Sequence, residues 1–253
     1  MELLDNYLDE FNKKQFSQNG EDGVIEHIFN NIGFASKIFI EFGFDFKENN
    51  SRALVENHGF SGLFVDGREY QCELVNKEYR GSSVFAHNAF LTAENINSVI
   101  SNYFEGEIDF LSIDVDGVDL HLFDSINVVE PRVVCIEYCS SIGKEMSVTV
   151  PYKENFDRLK EHQSGMFCNG SLLATIRVLR KRCYRFVGTV YGLNAFFVRN
   201  DCELNDLREQ NIDHWQPHRH RTEVRKISQI DQFGAICDAD WIPVSDKGII
   251  GQK

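Results

Sequence analysis

The feature that most constrains the fold of this chain is a set of four short apolar runs, each of which ends at an acidic residue. The runs are IFIE, LFVD, IDFLSID and VVCIE, which end at Glu41, Asp66, Asp114 and Glu137. A short and nearly continuous apolar run is typical of a strand that is buried on both faces, as in a parallel sheet. In open α/β sheets the ligand site lies beyond the carboxyl ends of the strands. The pattern therefore predicts four carboxylates at one edge of one sheet.

The segments between the apolar runs predict a crossover helix between successive strands. Strands are expected at 38–42, 63–66, 84–87, 108–114 and 133–137. Helices are expected at 20–33, 51–58, 69–79, 94–103 and 118–126, with a further helix that begins near residue 171. Because each connection is long enough for a helix, the five strands should be parallel with right-handed crossovers.

The second half of the chain departs from this alternation. Residues 138–169 are polar, weakly periodic and long for a simple connection, which indicates a lid or substrate-binding insertion. Two β-rich runs at 184–190 and 195–199 are joined by a turn that contains glycine and asparagine, which predicts a hairpin. Residues 201–253 are interpreted as a C-terminal extension. No linker divides the sequence, so a single domain over 1–253 is expected.

Composition argues against several classes of partner. A formal net charge of −13 disfavours nucleic acid and anionic membranes. No apolar run approaches the roughly 18–20 residues that span a bilayer, and the acidic start lacks the basic region of a signal peptide. Seven cysteines without a Cys-x-x-Cys pair indicate neither a disulfide framework nor a zinc cluster. We therefore expect a reduced, cytoplasmic protein.

Six motifs, taken in order, resemble those of a known family. They are SQNGEDGVI, FIEFGFD, SGLFVDG, DFLSIDVDG, VVCIEY and NGSLLA…NAFFVR, which together cover roughly residues 15–200. The chain resembles the class I S-adenosylmethionine-dependent methyltransferases and, more narrowly, the FkbM-type enzymes of bacterial polysaccharide and secondary-metabolite pathways. The resemblance implies an α/β, Rossmann-like methyltransferase fold with helices on both faces of a mostly parallel seven-stranded sheet, in the order 3-2-1-4-5-7-6.

The chain departs from this family in the turn after the first strand. The family usually has glycine where Phe46 stands and a small residue where Phe44 stands, and only Gly43 remains here. The methionine end of the cofactor must then fit differently, or the site is altered. A degenerate, non-catalytic binding module is therefore one alternative.

The residues expected to hold S-adenosylmethionine follow from the strand ends and from the resemblance. Gly43 would let the backbone approach a ligand. Asp66, at the end of the second strand, has the position and type of a residue that accepts hydrogen bonds from ribose hydroxyls, with a helix cap or turn as the alternative. Glu41 would hold the turn or take the amino group of the methionine moiety. The full expected set is Gln18, Glu41, Gly43, Asn50, Ser51, Asp66, Gly67, His87, Asn88 and Asp114, of which His87 and Asn88, followed by Ala89, would flank the adenine.

A nicotinamide cofactor is the main competitor for the nucleoside site, and would make the protein an NAD-dependent oxidoreductase. It would need a glycine-rich turn that cradles a pyrophosphate. Here the turn reads GFDFKE, with acidic residues where the pyrophosphate would lie. A cationic sulfonium with a zwitterionic tail tolerates these acidic residues, which favours the methyl donor.

A divalent metal is expected between the fourth and fifth strands. Asp114 and Glu137 should lie about 4.8 Å apart on neighbouring strands, where two carboxylates repel unless a proton or cation lies between them. Oxygen ligands suit Mg²⁺ or Mn²⁺, and Asp116 could complete the set. The metal would orient the acceptor oxygen and lower its pKa. Alternatively, Asp116 and Asp119 cap the following helix and Glu137 pairs with an arginine.

Asp116, His121 and His162 are the catalytic candidates, the two histidines as proton acceptors. An acceptor that is already anionic would need no base. A basic segment at 214–226 could receive a phosphorylated or nucleotide-linked acceptor, or could be a solvated face. The expected function is a metal-assisted O-methyltransferase for a small sugar, phosphate or phosphoramidate-type acceptor. A metal-dependent phosphotransferase or hydrolase is the remaining alternative, and it would not need Asp66 as a ribose acceptor.

Overall fold

A computed structural model describes residues 6–250 of the chain. The strands are β1 Ile38–Phe42, β2 Ser61–Asp66, β3 Val84–Asn88, β4 Gly106–Ile113, β5 Val129–Glu137, β6 Val148–Thr149, β7 Tyr184–Val190, β8 Asn194–Arg199, β9 Ile242–Ser245 and β10 Gly248–Ile249. The α-helices are α1 Glu21–Ile32, α2 Arg52–His58, α3 Glu69–Glu78, α4 Ile96–Ser101, α5 Asp119–Ser125, α6 Arg158–Glu161, α7 Leu172–Lys181 and α8 Gln229–Ile236. Short 3₁₀ or π turns lie at Tyr7–Phe11, Ser140–Ile142, Ile212–His214 and His220–Val224.

The central sheet has seven strands in the order β3-β2-β1-β4-β5-β8-β7. Strands β1 to β5 pair in parallel, whereas β8 runs antiparallel to both β5 and β7. This is the predicted order, and the last two numbers differ only because the two-residue strand β6 intervenes in the chain. The predicted fold class is therefore confirmed.

The core consists of two apolar layers, one on each face of the sheet. Alternate residues of a strand point to opposite faces, so Ile40 and Leu111 belong to one layer while Phe39 and Phe110 belong to the other. Helices α4, α5 and α7 contribute to the first layer, and α1, α2 and α3 to the second. Burial of both faces explains why the strands are nearly continuous apolar runs.

Strand β5 begins at Val129, four residues before the predicted start at residue 133, and it contains Pro131. Pro131 lies opposite Ile108 of β4, whereas the pairing of β5 with β8 begins only at Val133. At Pro131, β5 therefore has no neighbouring strand on the β8 side, and the missing N–H of proline is tolerated there. The carbonyl of Pro131 accepts a hydrogen bond from the Tyr184 hydroxyl at 2.6 Å.

The insertion and the C-terminal extension are joined in a second, small sheet. Strand β6 of the insertion pairs antiparallel with β9 of the tail, in the order β10-β9-β6. The Gln229 side chain in α8 donates hydrogen bonds to the carbonyls of Ser140 and Ser141 at 3.1 and 3.0 Å. The tail therefore holds the segment that follows β5. Across residues 6–250, none of the helices has the length and apolar character required to cross a bilayer.

Candidate active site at the carboxyl edge of the sheet

Two adjoining cavities lie at the carboxyl edge of the central sheet. The first cavity, of about 530 Å³, lies at the ends of β1, β2 and β4. The second cavity, of about 600 Å³, lies between the ends of β4 and β5 on one side and the insertion and tail on the other. Gln18, Asp114 and Asp116 line both cavities.

The four strand-end carboxylates all line this pair of cavities. Glu41 and Asp66 line the first cavity, Glu137 lines the second, and Asp114 lines both. They meet because β2, β1, β4 and β5 are successive neighbours that all point in the same direction. The edge thus contains a continuous row of acidic groups.

Glu41 organises the segment that leads into α2. Its two carboxylate oxygens accept hydrogen bonds from the backbone N–H groups of Asn50 and Ser51 at 2.9 and 2.8 Å. Burial raises the pKa of Glu41 to about 7 in spite of these hydrogen bonds. Asn50 lines the first cavity and its side chain donates to the Ser112 hydroxyl at 3.0 Å, whereas Ser51 is fully buried and lies behind the wall.

Gly43 is placed where no other residue fits. Its φ is +71°, and a Cβ on this residue would lie 1.6 Å from the carbonyl oxygen of Asp114. The turn after β1 therefore packs directly on the end of β4, which brings Asp114 to the cavity wall. The next residue, Phe44, is buried with its ring against Phe64, at a centroid distance of 4.8 Å.

Asp66 is buried and is paired with Arg68. One carboxylate oxygen accepts from the backbone N–H and Nε of Arg68, at 2.7 and 2.9 Å. The other accepts from the Phe44 N–H at 3.1 Å and from Nη2 of Arg68 at 3.0 Å. The Arg68 guanidinium, which is about half exposed, thus covers the Asp66 carboxylate on the cavity side.

An exposed aromatic ring that was not among the predicted residues stands beside Asp66. Phe90 is 79% exposed and lines the first cavity together with Ala89 and Leu91. Its ring lies so close to Gly67 that a Cβ there would come within 2.6 Å of it. A phenylalanine two residues after the end of β3 is the sequence signal that could have indicated this position.

Of the three residues predicted to flank adenine, Ala89 lines the first cavity, whereas His87 and Asn88 point elsewhere. The Nδ1 atom of His87 lies 3.1 Å from the Tyr103 hydroxyl. The Asn88 side chain donates to the backbone carbonyl of Asp66 at 3.0 Å. Neither residue is part of the wall of the first or second cavity as residues 6–250 form it. The wall at this point begins one residue later, at Ala89.

The metal candidates form a cluster, although its composition differs from the expected one. Asp114, Asp119 and Glu137 each offer a carboxylate oxygen within 4.8 Å of the others. Asp119 also accepts hydrogen bonds from the N–H groups of Val115 and Gly117, and Glu137 accepts one from the Asn169 side chain.

Asp116, which the sequence predicts could complete the metal set, is not part of this three-residue group. Its backbone is left-handed with a φ of 61°, and its carboxylate forms an ion pair with Arg158 at 2.8 Å. It still lines both cavities. Within residues 6–250, Glu137 forms no ion pair with an arginine; Arg158 pairs with Asp116.

The electrostatics of the cluster are those of crowded carboxylates. Burial, followed by the negative charges of Glu137 and Asp119, raises the pKa of Asp114 well above its usual value. Burial likewise raises the pKa of Asp119 to about 6. Burial and the charges of Asp119 and Asp116 raise the pKa of Glu137 to about 8. Such a group favours a shared proton or a bound cation.

The two histidine candidates lie outside the cavities. His121 is buried in α5, with Nε2 2.7 Å from the backbone carbonyl oxygen of Val150. The Nδ1 atom of His162 lies 2.8 Å from the Ser164 hydroxyl, just after α6. Neither contributes to the wall of a cavity described above.

The basic segment 214–226 reaches the second cavity. His218, His220, Arg221 and Arg225 line it, opposite Glu137. The sequence indicated these cations but not their location, because the tail is brought here by its pairing with the insertion. The second cavity therefore has acidic and basic walls.

The strand order, with β8 antiparallel beside β5, is that of the class I S-adenosylmethionine-dependent methyltransferase fold. The solved structures that this chain resembles include such methyltransferases. The N-terminal domain of EvdMO1 with SAH bound is 14% identical over 70% of this chain and 79% of that chain, at a TM-score of 0.43. An O-methyltransferase from Bacillus cereus in complex with SAH is 11% identical over 76% and 84%, at a TM-score of 0.45.

A third similar structure is the geranyl diphosphate C-methyltransferase from Streptomyces coelicolor A3(2), in complex with Mg²⁺, geranyl diphosphate and S-adenosyl-L-homocysteine. It is 15% identical over 66% of this chain and 62% of that chain, at a TM-score of 0.43. No protein-family model matches the chain, and no curated protein matches it. At these identities and TM-scores the similarities assign no role to any residue.

Proposed function

We propose that this protein is an S-adenosylmethionine-dependent O-methyltransferase for a small sugar, phosphate or phosphoramidate-type acceptor, assisted by a divalent metal. The observation that carries the proposal is that two cavities of ligand size meet at Asp114, at the carboxyl edge of a sheet with methyltransferase strand order. A group transfer needs a donor and an acceptor in contact, and the shared wall provides the place.

The first cavity is the proposed site of the methyl donor. Among residues 6–250, eight acidic residues line it against a single basic residue, Arg68. This charge would attract a sulfonium and an ammonium group but repel a pyrophosphate. The same observation disfavours the NAD-dependent oxidoreductase.

Within that cavity, Asp66 is the proposed acceptor of the ribose hydroxyl hydrogen bonds, which requires the Arg68 guanidinium to move from its carboxylate. Phe90, with Leu91, would cover the adenine. Gly43, Asn50 and Gln18 would lie along the methionine end.

The cluster of Asp114, Asp119 and Glu137 fits a hard divalent cation. The three donors are oxygens, they lie within 4.8 Å of one another, and burial makes their simultaneous ionisation costly without a positive charge. Bound there, Mg²⁺ or Mn²⁺ would supply a positive charge that lowers the pKa of an acceptor hydroxyl. Asp116, which lines both cavities, is the candidate for accepting the proton.

Calorimetric titration tests the proposal. S-adenosylhomocysteine should bind in the micromolar range, and NAD⁺ should not bind, with or without MgCl₂. Binding of NAD⁺ in place of S-adenosylhomocysteine would support the oxidoreductase. Binding of neither, together with magnesium-dependent hydrolysis of phosphate esters, would support the phosphotransferase or hydrolase.

A further inference from the structure

The second cavity contains cations that the proposed methyl transfer does not require. Arg158 reaches it from α6, and Arg221 and Arg225 reach it from the tail. The three guanidinium groups differ in their partners. Arg158 is neutralised by its ion pair with Asp116 at 2.8 Å.

Arg221 and Arg225 are not neutralised by contact. The Nη1 atom of Arg221 donates to the uncharged hydroxyl of Ser141 at 2.7 Å, which fixes the guanidinium without removing its charge. Among residues 6–250, no carboxylate oxygen lies within 4.0 Å of a guanidinium nitrogen of either arginine, so neither forms an ion pair. Two guanidinium groups without an ion pair beside one cavity, in a chain with a net charge of −13, indicate that a bound anion neutralises them.

His218 supplies a further hydrogen-bonding atom at the same end. Its Nδ1 atom is buried and has no hydrogen-bond partner in the described part of the chain. Burial, followed by the positive charges of Arg221 and His220, lowers the pKa of His218 to about 4, so the ring is neutral near pH 7. A buried polar atom of this kind normally has a partner.

We propose that Arg221 and Arg225 bind a phosphate group of the methyl acceptor, so that the acceptor is a small phosphomonoester whose hydroxyl faces Asp114 and Glu137. The inference rests on the proposed function and narrows its acceptor class. A phosphate dianion matches two guanidinium charges, and arginine binds phosphate in a bidentate geometry. A neutral sugar would leave both charges uncompensated, and a carboxylate would compensate one.

The test is calorimetric binding of inorganic phosphate, ribose 5-phosphate, ribose and gluconate in EDTA buffer. The two phosphates should bind, and ribose should bind at least about 10-fold more weakly than ribose 5-phosphate. Arg225→Gln should weaken ribose 5-phosphate binding by about 10-fold, as should Arg221→Gln. The Arg225 side chain makes no hydrogen bond or ion pair within residues 6–250, so its variant separates anion binding from folding.

Arg219→Gln is the matched control. Arg219 belongs to the same segment, but it pairs with Glu223 at 2.7 Å and lies over the Tyr191 ring, outside the cavity wall. Its variant should bind ribose 5-phosphate within about 2-fold of wild type. The inference is overturned if neither phosphate binds, if gluconate binds more tightly than ribose 5-phosphate, or if Arg225→Gln behaves like the control.

S-adenosylhomocysteine titrated into the same proteins separates the two proposals. Arginine-dependent phosphate binding without S-adenosylhomocysteine binding would contradict the methyltransferase and leave the anion site in place. S-adenosylhomocysteine binding without phosphate binding would contradict the anion site and leave the methyltransferase in place.

Discussion

The two cavities share Asp114 but have opposite electrostatic character. In the described part of the chain, the first is lined by eight acidic residues and one arginine, whereas the second has three acidic residues against three arginines and two histidines. The first is built at the ends of parallel strands. The second is closed by the insertion and the tail.

Under the proposed function, this difference in charge would separate the two substrates. A cationic donor would bind on the acidic side and an anionic acceptor on the basic side, with Asp114 between them. Two buried carboxylates of the first cavity are satisfied locally, Glu41 by backbone N–H groups and Asp66 by Arg68. Asp114, Asp119 and Glu137 instead place carboxylate oxygens within 4.8 Å of one another, where an additional positive charge would offset their repulsion.

Asp114→Asn should have the largest effect, because it removes a charge from the shared wall. The affinity for Mn²⁺, measured by electron paramagnetic resonance of the free ion, should fall by at least about 100-fold. Asp119→Asn should act in the same direction. Asp116→Asn is the control, since its carboxylate pairs with Arg158, and it should change Mn²⁺ affinity by less than about 3-fold. Equal losses in all three variants would return Asp116 to the metal set.

Asp66→Ala should have the second largest effect, and it tests binding of the methyl donor in the first cavity alone. Loss of hydrogen bonds from ribose hydroxyls to a buried carboxylate costs about 2–3 kcal/mol, or ~100-fold in the dissociation constant of S-adenosylhomocysteine. Calorimetry measures it, with Glu69→Ala, an exposed neighbour, as the control. Mn²⁺ affinity should be unchanged in both variants. A matching loss in Glu69→Ala would remove Asp66 from the nucleoside site.

Glu41 should give a pH dependence that the metal does not alter. Its folded-state pKa of about 7 lies above the ordinary glutamate value of 4.5, so its contribution to stability is complete below pH 4.5 and is lost as the pH rises through 7. Between pH 5 and 7.5 the loss is about 2 kcal/mol. Urea unfolding should show a smaller decline in Glu41→Gln, and MgCl₂ should not change the difference between the two proteins. Parallel pH profiles would contradict this assignment.

Arg68→Ala should have the smallest effect on the affinity for S-adenosylhomocysteine, and its sign should be opposite to that of Asp66→Ala. Removing the guanidinium frees the Asp66 carboxylate from a half-exposed ion pair, which should tighten S-adenosylhomocysteine binding by about 2–5-fold. Arg80→Ala, on the surface after α3, controls for the change in net charge. Weaker binding in Arg68→Ala alone would mean that the arginine contacts the nucleoside.

The sheet could be predicted from the sequence because each strand is specified by a short apolar run of its own residues. Strand β1 was predicted with its observed bounds, and β2, β3 and β7 to within two residues, since burial on both faces produces apolar runs that stop at polar residues. The same logic placed Glu41, Asp66, Asp114 and Glu137 at one edge, which is where they lie.

The pairing of insertion with tail could not be predicted, because β6 and β9 are two and four residues long and are far apart in the chain. Without that pairing, the position of the basic segment 214–226 could not be predicted.

Whether Asp116 or Asp119 joins Asp114 and Glu137 in the carboxylate cluster could not be predicted either. It depends on a left-handed backbone at Asp116 and on an ion pair with Arg158, a residue of the insertion.

The most direct test of the account is a crystal structure with S-adenosylhomocysteine and MnCl₂, with anomalous scattering recorded to locate the manganese. The ribose should bind to Asp66 with Arg68 displaced, and an anomalous peak should lie between Asp114, Asp119 and Glu137. Nucleoside density in the second cavity, or manganese bound away from Asp114, would contradict it.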